Sequence, residues 1–69
     1  MELSRNQKLL IQLFKELKMQ TDTIIGTMLM IQSEKEVEEM MDFIVQNAEN
    51  LNKDIIVRKA MEINEKGLD

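Results

Sequence analysis

Between Ile24 and Ile31 the chain places six aliphatic or thioether side chains in eight positions, with no charge and no proline among them. At 100° per residue, Ile24, Ile25, Met28, Leu29 and Ile31 spread over a broad arc of a helix, and Met30 points the other way beside Gly26 and Thr27. A helix apolar on nearly every side is ordinarily buried by neighbours. The octapeptide is therefore expected to be the central helix of a small all-α domain, shielded from water by three amphipathic helices.

Length sharpens that expectation. The 69 residues suffice for one domain, and a chain this short buries only about 60% of its unfolded surface. Such domains draw on disulfides, metals, self-association or close helix packing for stability. With no Cys and no His, disulfide scaffolds, zinc fingers and thiol redox motifs are excluded. Good packing and self-association remain. No apolar stretch approaches the ~20 residues of a membrane span, and the opening residues lack the order of a signal peptide. The absence of Cys fits the cytoplasm, which is the expected location.

Four helices can be placed, at about residues 4–18, 22–32, 34–49 and 53–66. Ser4 and Gln7 form the two halves of a capping box for the first. Leu3, Leu10 and Leu17 recur every seven residues, widened by Leu9, Leu13 and Phe14, while Ile11 lies off that stripe. The second helix starts at Thr21 or Asp22, both acceptable caps, after a turn at Lys18 to Gln20 made without glycine. Gly26 within it costs about 1 kcal/mol relative to Ala, which predicts a close backbone neighbour along the Gly26–Met30 side. Ser33 and Glu36 form a second capping box, with Glu34, Glu36 and Glu38 at the electropositive helix start. Val37, Met40, Met41, Ile44, Val45 and Ala48 follow helical spacing, and Phe43 extends the stripe sideways. This helix is expected to stop near Asn50. Asn52 opens the last helix, with Leu51 and Ile56 as a hydrophobic staple. Ile56, Ala60 and Ile63 form its buried line, with Ile55 and Met61 off it. Asp54–Arg58 and Glu62–Lys66 are favourable i, i+4 pairs. Gly67 suits a left-handed cap, with Leu68 folding back on Ile63. The second helix is too short for a regular bundle, so the expected architecture is a compact orthogonal array of four short helices.

Charge is unevenly spread. Residues 1–20 carry a net +2, residues 33–50 a net −5, and the whole chain −4. A basic first helix and an acidic third helix can attract each other within one chain or between two. Surface pairs of this kind contribute ~0–1 kcal/mol each, so they choose register more than they stabilise.

Chemistry is scarce. The usual general base and the best nucleophile are missing, and Ser4 and Ser33 serve better as helix caps than as nucleophiles. No enzymatic activity is expected. Glu38 and Asp42 stand one turn apart with Glu39 nearby, but no calcium-binding loop and no Glu-x-x-His pair accompanies them. They read as a solvated acidic face, and neither a metal nor a cofactor is expected. The acyl carrier proteins are also acidic four-helix domains of this size, but their Asp-Ser-Leu attachment site is missing.

Two readings remain. As a nucleic-acid binder, the chain would use Lys53, Arg58 and Lys59 on the fourth helix in a helix-turn-helix arrangement. Asp54 and Glu62 share that helix, and the acidic balance opposes a polyanion. As a protein-interaction module, it would use apolar residues left over from the main stripes, namely Ile11, Phe43, Ile55, Met61 and Met30. Grouped in one patch they would mark an interface. The second reading is preferred, with another copy of the chain or another protein as the expected partner, no membrane and no small-molecule substrate. No stretch identifies what the module acts on.

Overall fold

The computed structural model describes residues 3–67. They form four helices, α1 (Arg5–Glu16), α2 (Thr21–Met30), α3 (Glu34–Gln46) and α4 (Lys53–Lys66), with a 3-10 turn at Ala48–Asn50 before α4. The all-α expectation holds. The Cα radius of gyration is 10.8 Å, against ~11 Å for a folded chain of this length.

Local chemistry sets most of the helix ends. In α1 the Ser4 hydroxyl accepts from the Gln7 amide at 3.1 Å, and the Gln7 side chain accepts from the Ser4 amide at 2.8 Å. In α3 the Ser33 hydroxyl accepts from the Glu36 amide at 3.2 Å. The Glu36 carboxylate accepts in return from the amides of Ser33 at 3.0 Å and Gln32 at 3.2 Å. That second bond ties the end of α2 to the start of α3 and leaves Glu36 only 8% exposed. The Asn52 side chain caps α4 by accepting from Ile55 at 3.0 Å, and Gly67 closes it at φ 63°. The expected contact of Leu68 with Ile63 lies outside the described residues.

The turn after α1 contains no glycine, so Lys18 takes the left-handed conformation at φ 62°. Its amide donates to the Lys15 carbonyl at 3.0 Å, and the Met19 amide reaches back to Phe14 at 3.1 Å. Those two bonds satisfy the Lys15 and Phe14 carbonyls in the last turn of α1. Neither Thr21 nor Asp22 caps α2; the cap position is Gln20, which makes no side-chain bond there. The third helix ends at Gln46, short of the expected end near Asn50, because the backbone tightens into the 3-10 turn.

The principal helix pairings are α1 with α2 and α3, and α4 with α2 and α3. The four thus close a ring in the order α1, α2, α4, α3 around a shared core. That core comprises Leu10 and Phe14, Ile24 and Ile31, Val37, Met40 and Ile44, and Ile56, Ala60 and Ile63. The α4 line is the one expected from sequence. On α1 and α3 the inward strip is narrower than the stripe predicts, leaving Leu9 and Val45 exposed, along with Leu3 and Leu17 at the two flanks of α1.

The ring corrects the reading of the octapeptide. It is one wall rather than the central rod. Ile24, Thr27 and Ile31 point into the core, while Ile25 is 55% and Leu29 65% exposed. Thr27, at 1% exposure, is tolerated inside because its hydroxyl donates to the Thr23 carbonyl at 2.8 Å, which removes the penalty of an unpaired buried polar group. The close neighbour predicted for Gly26 is also missing. A Cβ built there meets nothing within 4 Å, so its small size serves no packing within the protomer.

Candidate functional site

The outward line of α2 consists of Asp22, Ile25, Gly26 and Leu29, all exposed. Their spacing of i, i+3, i+4 and i+7 is that of a helix face made to be covered. The helix therefore has apolar residues inside and out: Ile24 and Thr27, with Ile31 just past its end, are buried in the core, Met28 and Met30 pack against it half-buried, and Ile25 and Leu29 stay outside. Exposed apolar residues scattered singly are ordinary. Ile25 and Leu29 are not scattered, because they form one wall of a groove between α1 and α2.

The groove has a volume of about 670 Å³. From α1 it takes Ile11 and Lys15, with Leu3 just before that helix, and from α2 it takes Ile25, Met28 and Leu29, with Met19 at the corner between the helices. Along its outer α1 side a second depression is bordered by Lys8, Gln12, Lys15 and Glu16. The α1 rim is thus polar and of mixed charge, and the α2 wall apolar.

The five residues proposed from sequence as an interface do not gather in one patch. Ile11 lines the groove. Met30 is half-buried against the core from α2. Phe43 is half-buried too, with the Lys59 ammonium 5.3 Å from its ring centroid on the α3–α4 side. Ile55 is half-buried on α4, and Met61 is 50% exposed there. Sequence reasoning misses Ile25 and Leu29 because the uniform apolarity of the octapeptide assigns both to the interior. The available signal is the regular spacing of 22, 25, 26 and 29 around Gly26.

Polar features on other faces act structurally. On α4, Glu62 accepts from Lys59 at 3.2 Å and pairs with Lys66 at 3.3 Å, and Lys66 reaches Glu39 of α3 at 3.6 Å. The bond from Lys59, with that from Lys66, lowers the Glu62 pKa. The bond to Glu62, with the charge of Glu39, raises that of Lys66. Asp54 and Arg58, expected to pair, form no ion pair among the described residues. The Asn6 amide donates to Glu34 at 3.0 Å, linking α1 to α3. Among the described residues no three acidic side chains gather closely enough to hold a metal ion, and no helix is long and apolar enough to cross a membrane.

Compared with protein-family models, curated proteins and solved structures, the chain matches none.

Proposed function

We propose that this domain is a non-catalytic interaction module that pairs with a second copy of itself through the α1–α2 side, in the cytoplasm. The observation that carries the reading is the pair Ile25 and Leu29, more than half exposed on a nearly uncharged helix beside an apolar groove. Covering such a surface removes apolar area from water at roughly 25 cal/mol per Å². It adds burial that a 69-residue chain lacks on its own. The lack of catalysis is supported by the residues available: there is no His or Cys, and the hydroxyls of Ser4 and Ser33 are engaged at helix starts.

Sedimentation over a concentration series tests this reading. A monomer–dimer equilibrium that Leu29→Glu shifts to monomer, with the helical circular-dichroism signal unchanged, is the expected result. A chain that stays monomeric at high micromolar concentration overturns it. The nucleic-acid reading has less support: Lys59 is paired with Glu62 and placed over Phe43, which leaves Lys53 and Arg58 as the exposed cations at the start and middle of α4. A low-salt electrophoretic shift abolished by Arg58→Glu would restore that reading.

A further inference from the structure

We infer that the α1–α2 groove binds a single-chain amphiphile with a carboxylate head, a free fatty acid of medium length, its head at Lys15 and its chain lying along α2. This goes beyond the dimer reading and stands without it, because every residue of the groove belongs to one protomer. Small-ligand sites are concave, mostly apolar and ~300–1,000 Å³ in volume, with a few polar groups that orient the ligand. The groove, at about 670 Å³, has that size and that lining.

The polar groups that line it fall at its two ends, and the ends differ in what they leave free. Where α1 starts and α2 stops, Gln7 donates to the Gln32 carbonyl at 3.4 Å and accepts from the Ser4 amide at 2.8 Å. The Gln32 side chain donates to the Leu29 carbonyl at 2.9 Å. That end is uncharged and engaged by its own chain. Where α1 stops and α2 starts, the lining is Lys15, Met19 and Thr21. Lys15 is exposed and makes no ion pair among the described residues. It is also the one charged side chain that lines the groove, since Lys8 and Glu16 border the neighbouring depression. Asp22, in the first turn of α2, is exposed but does not line the groove.

Between the ends run Ile11, Ile25 and Met28. A single positive charge at one end of an apolar channel complements a ligand with one negative end and an uncharged remainder. A ligand charged along its length would set unpaired charges against Ile11 and Met28, at a cost in desolvation. The ten residues of α2 span ~15 Å, which suits a chain of medium length, and Met28 and Met19 supply flexible thioethers that adapt to it. Such a chain would cover Ile25 and Leu29, so it would compete with a second copy for the same side chains.

Decanoate, kept below its micelle concentration, is titrated into the protein with side-chain methyl NMR signals as the readout, in parallel with decyltrimethylammonium. Saturable shifts at Ile11, Ile25 and Met28 are expected with decanoate and not with the cation. Lys15→Gln is expected to weaken decanoate about fivefold, and Lys8→Gln to leave it unchanged. No saturable shift overturns the inference. So does equal binding of the cation, or a Lys15→Gln variant that binds decanoate as the parent does. Sedimentation of the same samples keeps the two readings apart: a monomer that binds decanoate supports this inference and overturns the dimer, and a dimer that does not bind it does the reverse.

Discussion

Helices α2 and α4 pack against each other, yet they are built on opposite plans. α4 buries one line, Ile56, Ala60 and Ile63, is capped by Asn52 and Gly67, and carries charged pairs on its outside. α2 has no side-chain cap at its start, no basic residue in its last turn, and apolar residues both inside and out. In α4 the sequence dictates which face turns inward, because only one face can tolerate burial. In α2 several faces can, so its neighbours decide. The face they leave uncovered is the one available for association.

The contrast is tested most strongly by truncating one apolar residue on each helix. Ile63→Ala removes a fully buried side chain and is expected to cost about 3 kcal/mol, whereas Leu29→Ala costs under ~0.5 kcal/mol in the dilute protomer. Urea denaturation at low protein concentration measures both, and similar losses would mean that α2 has no outer face.

The same chemical change should act with opposite sign at the two glycines. Gly67→Ala forces a Cβ into the left-handed cap of α4 and is expected to destabilise by ~1 kcal/mol. Gly26→Ala, in a helix interior with open space around it, is expected to stabilise the protomer by ~0.5–1 kcal/mol. Thermal melts of the two variants check the crossing.

Caps supply a smaller effect. Asn52→Ala is expected to lose about 1 kcal/mol, while Gln20→Asp gives α2 the cap it lacks and gains up to ~1 kcal/mol. Both follow from melting temperatures at neutral pH.

The smallest effect concerns the ion pairs of α4. The lowered pKa of Glu62 contributes stability that is fully present above the ordinary carboxylate value and is lost as pH falls through the folded one. The raised pKa of Lys66 contributes below the ordinary lysine value and is lost as pH rises through the folded one. Glu62→Gln is therefore expected to be slightly less stable than the parent at neutral pH, to converge with it in acid, and to converge with it also in high salt, which screens exposed pairs. Denaturation midpoints across pH and salt check this.

How much could be read from the chain follows the same division. Ser4 with Gln7, Ser33 with Glu36, Asn52 and Gly67 mark helix ends through short-range hydrogen bonding or a single dihedral, and those ends appear where expected. The α4 core line is legible because charged residues alternate with it. The orientation of α2 is not legible: Thr27 enters the core by bonding to Thr23, and Leu29, the more apolar residue, stays outside. Neighbouring helices impose that choice, and no periodicity within the segment records it. Val45 misleads for a related reason, since a wide stripe does not say how much of itself a narrow core will use. Of the candidate interface, Ile11 alone falls in the groove, because leftover residues counted around separate helices carry no trace of the ring order that decides which surfaces adjoin.

The Glu36 carboxylate, accepting from both Gln32 and Ser33, sits on the short link between an α1–α2 half and an α3–α4 half. Two copies of a chain divided in this way could exchange halves, each completing the other's core, if that link straightened into a hinge. Straightening it would strand a nearly buried acid and two backbone amides, so the clasp favours closed protomers over entangled ones.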